Sequence, residues 1–467
     1  MIPSIAAPTA AAGPTSVLAQ FAADLSWADV PDKIRQRVKD ILVDTLASAM
    51  VGHGADDTST VIDFARDLAG AGDSTVIGGQ PLAMTGATVA NGFLITAQML
   101  CDVHRPTLCH VTPEIVAPSL VMGERQDASG AEFLTSIAIG LEVCTRVGIG
   151  MNYVPFRRRG WHAPGITGTL GAAAAVGRLL GLNPAEMSNA LSLAGSQAGG
   201  TFAQLGSPAL KFQQARGALS GLMAGLLAAR GLRAAAEILT HPDGGLYSAF
   251  SDGGDPDAAI EDLGSRWELE NISLRAWPVG VHLLNPIACL FALLDKHDVS
   301  SEDVARIVVR LGPAGTKTHT EKAWQDTFRA RMSLHWAMAV VLHDRACWLE
   351  QFSPDRLTDR SVSDFADSRV FLAEDPELKG SAAAVALETM DGQVHTMTRE
   401  FPPGDAATPF THQEVLAKLQ VAGKSFGPPE DLARLDSDVA ALDAVRHVRP
   451  FIRRLGRPGP PEGSDHE

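Results

Sequence analysis

Between Ser16 and about Phe250 apolar residues recur at helical spacing, and the helices they define are built to an unusual degree from alanine and glycine. The clearest case is Gly168-Thr169-Leu170-Gly171-Ala172-Ala173-Ala174-Ala175-Val176-Gly177. Side chains this small let backbones approach closely, so a helix of this kind can be surrounded on all sides. A dense all-helical bundle is therefore expected. Its first long helix starts at Asp32 and places Ile34, Val38, Ile41, Leu42 and Leu46 on one face. Further helices are expected over 57–69, 82–100, 113–124, 131–148, 165–180, 184–198 and 210–229. Asn183 and Pro184 make a good start for one of them, because Asn caps free amides and Pro suits the first turn.

The pattern changes after Trp267. Residues 306–311 alternate like a strand, and 383–388 with 394–399 flank Asp391-Gly392, a hairpin turn signal; 329–343 reads as a helix between them. Helical patterning returns from Thr411 through Leu442. The fold class expected is mainly α: a large helical domain over 1–270 and 410–455, a smaller α+β lid domain over 271–409, and a disordered tail over 456–467.

Composition narrows the function. With 39 Lys and Arg against 54 Asp and Glu the net charge is −15, and no basic face is segregated, so a nucleic-acid partner is not expected. Five scattered cysteines show no metal-type pairing and suit a reducing compartment. The N-terminal residues lack the basic region and apolar core of a signal peptide, and runs such as 218–229 break off before the ~20 residues of a membrane span; a cytoplasmic protein with no membrane partner is expected. Phosphate loops, dinucleotide fingerprints and serine elbows do not occur.

Four segments gather groups able to move protons or bind anions. Cys101-Asp102-Val103-His104-Arg105 to Cys109-His110-Val111-Thr112-Pro113 joins two helices and packs Asp102, His104 and His110 ahead of a helix start that favours a carboxylate. It also reads as a capped interhelical loop; a metal set of Asp102, His104, Cys109 and His110 lacks a second ligand pair at zinc-like spacing, so no metal is expected. Arg157-Arg158-Arg159-Gly160-Trp161-His162 combines guanidinium clamps with a proton carrier, or is a solvated loop. Lys211 enters an apolar helix, where it either snorkels outward or is desolvated and poised against an acid. Arg275-Ala276-Trp277-Pro278-Val279-Gly280-Val281-His282 lies at the expected domain junction, as a pocket wall or a hinge.

Taken together, these segments resemble the MmgE/PrpD family over nearly the whole chain, from Asp44-Thr45-Leu46-Ala47-Ser48-Ala49-Met50-Val51-Gly52 through Ala90-Asn91-Gly92 to Ala330-Arg331-Met332-Ser333. His110 sits where that family has a His-Pro pair, His162 fits its Gly-aromatic-His motif, Lys211 falls near its lysine, and Arg275 stands for Lys in its Lys-x-aromatic-Pro segment. The family's Asp-aromatic-Asp-Asp run reads Met99-Leu100-Cys101-Asp102 here, and Trp336 stands where its decarboxylases and dehydratases carry Tyr.

The resemblance implies a homodimeric, cofactor-free lyase that abstracts a proton beside a carboxylate of a small di- or tricarboxylate, ending in dehydration or decarboxylation. Its site residues would be His110, His162, Lys211, Asp102 and His104 for catalysis, with Arg157, Arg159, Arg275, His282 and Trp336 on the substrate. An epimerase of the iminodisuccinate type and a catalytically silent binding paralogue remain open alternatives.

Overall fold

The computed structural model describes residues 13–316 and 322–456. The N-terminal dozen residues on which the leader reading rests, and the tail from 457 onward, lie outside these. The chain divides into two compact units. The first comprises Met1–Ala97, His104–Asn271 and Leu419–Glu467; the second comprises Gln98–Val103 and Ile272–Lys418.

The first unit is the helical bundle that the alanine and glycine content demands. Helix Thr169–Leu179 packs against both Gly130–Gly150 and Pro208–Ala228, and Pro208–Ala228 packs in turn on Met84–Ala97. The contacts work because side chains are missing where backbones cross. A Cβ on Gly171 would lie 2.5 Å from the Gly140 carbonyl oxygen, and one on Gly221 would lie 2.3 Å from the Ala172 Cβ. Backbones that approach closely enough to leave no room for a Cβ gain dispersion contacts that larger side chains would prevent. Arg178, at the end of the helix, pairs with Glu132 at 3.0 Å and donates to the Ala23 carbonyl.

Helix Gly130–Gly150 corrects the expectation that apolar runs stop short of membrane length. It has 21 residues and is apolar enough to cross a bilayer, yet is buried along almost all of its length within the protein. Its Glu142 and Arg146 pair with each other, and Glu142 accepts from the Glu268 and Leu269 amides, both at 3.0 Å. Arg146 donates to the Glu261 carbonyl at 2.8 Å, so both buried charges gain hydrogen bonds beyond their own pairing. Asn91, in the Ala-Asn-Gly motif, is structural. It accepts from Ile77 N–H and donates to the Thr75 carbonyl, tying a loop to its helix.

The second unit carries a four-stranded sheet in the order Val370–Glu374, Val304–Leu311, Ala383–Thr389, Val394–Arg399. The first pair is parallel and the others antiparallel, with Leu387 opposite Ile307 and His395 opposite Leu387. Helices Leu284–Lys296 and Leu334–Asp344 cover the sheet, and their apolar faces form one core with Ile307, Val309 and Val385. The expected hairpin is present. The expected helix over 329–343 is broken at Ser333, whose hydroxyl accepts from Trp336 N–H and caps a new helix. Strand Val370–Glu374 has no counterpart in the sequence pattern: it follows helix Arg360–Arg369 without a turn and shows no clean alternation.

Gly171→Ala is expected to cost roughly 1–3 kcal/mol, because the new methyl meets main chain on a buried crossing and cannot rotate away. Thermal unfolding measures it, and an unchanged melting temperature would show that the crossing is not close-packed.

Candidate active site

The first unit assembles its candidate groups around a short backbone scaffold. Trp161 and Thr201 form an isolated antiparallel bridge; His162 N–H donates to the Gly200 carbonyl at 3.0 Å and Phe202 N–H to the Gly160 carbonyl at 2.8 Å. Directly after His162 the chain makes a π-helical turn, Pro164–Gly168, before the α-helix continues. Turns of this kind leave some carbonyls outside the regular ladder. Arg216 takes up one of them, the Gly165 carbonyl at 3.2 Å, and also donates to the carbonyls of Gln197 at 2.9 Å and Gly199. One guanidinium thus braces the two strands of chain that hold His162.

His162 is 4% exposed. Its Nδ1 lies 2.8 Å from Gln213 Oε1, and its ring meets Phe202 edge to face at 5.7 Å. Burial, and to a lesser degree the charge of Arg157, depress its pKa to about 4 against the partial opposition of the Gln213 hydrogen bond. At neutral pH the imidazole is uncharged. Arg157 lies over the Phe202 ring, 3.6 Å from its centre, an arrangement that holds a guanidinium in place without neutralising it. Tyr153 lies beside Arg157, and burial raises its phenol above the usual value. Arg159, by contrast, is exposed and donates to the carbonyls of Ser248 and Ala249.

The 101–113 segment divides between the units at His104. His104 is completely buried: Nδ1 is 2.7 Å from the Thr107 hydroxyl and Nε2 is 3.1 Å from Glu268, which Arg266 and Asn271 also hold. Its backbone N–H donates to the Cys109 carbonyl at 2.7 Å, closing the loop that presents half-buried His110. His104 is thus placed to shape the loop. Cys109 and Cys144 both lie 3.5 Å from the Thr167 hydroxyl, and burial pushes the Cys109 thiol up, which keeps it inert. Glu114, the buried acid of the following helix, fills the space left by Gly168 and lies within electrostatic reach of Arg216. Lys211 donates to the carbonyl of Ala97, the last residue of its helix, where a cation suits the dipole.

In the second unit Asp102 is fully buried and His282 half-buried. Arg275, 3% exposed, donates to the Cys101 carbonyl at 2.6 Å and the Val279 carbonyl at 3.2 Å, and so ties two loops together. Trp336 has no exposed surface; its indole N–H donates to the Gln351 carbonyl at 3.0 Å and its ring tilts against Trp324. Its place is the apolar core, a position in which a side chain packs and does not meet solutes. Among the described residues no three His, Cys, Asp or Glu side chains converge as a metal cage.

The structure therefore brings together His162 and Arg157, both expected from sequence, with Gln213, Phe202 and Tyr153, which sequence reasoning missed. Gln213 and Phe202 carry no charge and titrate nowhere near neutrality, so a search for charged clusters passes over them. The one signal available in the sequence is the place of Gln213, two residues after Lys211 at the start of a helix.

Two family models match the chain: the MmgE/PrpD N-terminal domain over residues 16–259 and the MmgE/PrpD C-terminal domain over residues 277–443. Curated relatives include the cis-aconitate decarboxylase of Aspergillus terreus, 27% identical over 96% of this chain and 97% of that protein. The cis-aconitate decarboxylase of Homo sapiens is 23% identical over 92% of each.

An NMR titration of His162 should show a midpoint near 4, far below the ordinary value of about 6.5. Protonation then favours the unfolded chain, so the residue's contribution to stability is complete above about pH 6.5 and is lost as pH falls toward 4. Arg157→Met should move the midpoint upward; a midpoint unmoved by this change would remove Arg157 from the electrostatics of the site.

Proposed function

We propose that this chain, which belongs to the MmgE/PrpD family, is a cofactor-independent lyase that acts on a small tricarboxylate of the cis-aconitate type, with decarboxylation the leading outcome. The observation that carries this reading is the match of both family domains together with similarity to cis-aconitate decarboxylases over nearly the whole chain. The chemistry of the first unit supports it. Both elimination and decarboxylation of such an acid pass through electron density delocalised onto a carboxylate, which needs cations on the carboxylates and a group that moves a proton to or from carbon.

Arg157 supplies a cation that, among the described residues, forms no ion pair with an acid, and it is held over Phe202 beside the uncharged His162. In this reading His162 and His110 exchange the proton, and Arg157 orients a carboxylate. Lys211 adds positive charge to the same unit. Arg159 is a weaker candidate, because its head group is committed to the Ser248 and Ala249 carbonyls. The roles of Asp102, Arg275 and His282 stay with the proposal as second-unit groups, and His104 acts through the loop it closes. A homodimer in the cytoplasm completes the reading.

The test is proton NMR in heavy water with cis-aconitate, citrate, methylcitrate and iminodisuccinate. Loss of carbon dioxide with a new terminal alkene identifies decarboxylation, loss of water identifies dehydration, and deuterium at carbon without net change identifies the epimerase. His162→Ala and His110→Ala should each lower kcat by roughly 10²-fold or more with the fold intact. Full turnover in both variants would overturn the assignment.

A further inference from the structure

The amide of Gln213 has two ends and two different neighbours. Its Nε2 donates to the Thr201 carbonyl at 3.0 Å, and its Oε1 faces His162 Nδ1 at 2.8 Å. Turning the amide over would set its oxygen against a carbonyl oxygen, which has no proton to offer, so the Thr201 carbonyl dictates which end faces the histidine. An amide oxygen only accepts. The proton of a neutral His162 must therefore sit on Nδ1, where it is donated to Gln213, and the lone pair must sit on Nε2. Nε2 makes no hydrogen bond among the described residues and is not sealed from solvent.

The backbone is shaped to admit this contact. Gly200 has φ +149°, in a region that L side chains rarely adopt, and a Cβ there would lie 2.5 Å from Gln213 Oε1. The same residue's carbonyl accepts the His162 N–H at 3.0 Å, so one glycine both anchors the histidine main chain and clears room for the glutamine. Facing the ring from other elements are Phe202 and the Arg157 guanidinium; of the described groups acting on the ring, Arg157 is the charged one, and it opposes a proton.

We propose that Gln213 is a positioning residue that locks His162 in the tautomer with its proton on Nδ1, so that Nε2 is the atom that takes a proton from substrate carbon. This rests on the reading of the chain as a lyase that works beside a carboxylate. In that step a carbon–hydrogen bond beside a carboxylate breaks, a nitrogen–hydrogen bond forms at Nε2, and the electron pair moves into the adjacent carboxylate; in an elimination the pair then returns to expel the β-hydroxyl as water, whereas decarboxylation breaks a carbon–carbon bond, releases carbon dioxide and adds a proton to carbon without this transfer. His162 is then the base of the pair, and a proton given to carbon comes from another group, for which His110 is the candidate.

A neutral amide suits this role better than the carboxylate often found behind a catalytic histidine. A carboxylate would hold the same tautomer but raise the ring's affinity for a proton, whereas the amide fixes the tautomer without adding a charge.

The experiment is long-range proton–nitrogen NMR of the full-length protein labelled with nitrogen-15 histidine at pH 7, with His162 assigned by the loss of its signals in His162→Gln. The result expected is the Nδ1–H tautomer for His162 in the native protein. Gln213→Leu should release the lock, giving mixed tautomers and a kcat for dehydration of citrate or methylcitrate lower by roughly 10-fold or more with KM little changed. Gln213→Glu should keep the proton on Nδ1 but raise the His162 titration midpoint by about one unit or more, moving the acid limb of kcat/KM with it.

An Nε2–H tautomer in the native protein overturns the proposal, as does a midpoint in Gln213→Glu equal to that of the native chain. If Gln213→Leu fails to fold, the native tautomer and the Gln213→Glu titration still decide. If neither cis-aconitate nor its analogues are turned over, the functional reading fails while the NMR result judges Gln213 independently.

Discussion

The close crossing of Thr169–Leu179 with its neighbours is the constraint on which the first unit depends. Gly171 against Gly140 and Gly221 against Ala172 bring three helices to backbone contact, and the layer of small residues leaves no slack for a shift of the middle helix along its axis. That helix begins in the π turn that follows His162, so the histidine is attached to one of the most closely packed elements of its unit. Rigidity at the site thus comes from packing to which no functional residue contributes. Arg216 then couples this helix to the 197–199 segment through carbonyl contacts, which fixes the second half of the scaffold.

Charge in the candidate site follows from the same local arrangement. Two cations have opposite assignments: Arg216 is taken up by the backbone, whereas Arg157 rests on an aromatic face and keeps its charge available. Burial, Arg157 and Gln213 act together on His162. The first two disfavour protonation, and the third chooses which nitrogen offers the lone pair. In the proposed reading they make the imidazole a defined proton acceptor. The buried thiol of Cys109 is held unreactive nearby, and the buried His104–Glu268 pair supports the loop that presents His110.

Much of this is legible in the sequence. Periodicity places helices at 57–69, 113–124 and 131–148, within a few residues of Thr58–Ala69, Thr112–Gln126 and Gly130–Gly150 in the structure. The Asn183 cap forms a complete capping box with Glu186, and the strands on either side of Asp391-Gly392 pair as a hairpin. Errors fall where local patterning is blind to neighbours. Strand Val370–Glu374 owes its existence to pairing with Val304–Leu311, which lies about sixty residues earlier in the chain. The break at Ser333 depends on a hydroxyl capping a helix that periodicity alone would continue.

What the sequence by itself determined is the architecture and the inventory of reactive groups: small residues demand close-packed helices, alternation demands a sheet, and His162 with its arginines announces proton and anion chemistry. Tertiary structure alone decided which members of the inventory are available. Arg157 and Arg159 are equivalent on paper, yet one stacks on Phe202 and the other is bound to main-chain carbonyls. Trp336 lies in the core of its unit, whereas Arg275, kept as a candidate substrate contact, also donates to the Cys101 and Val279 carbonyls. The reason is that residue type sets the hydrogen bonds and charge a side chain can offer, while only the fold settles which of those offers its neighbours have already taken.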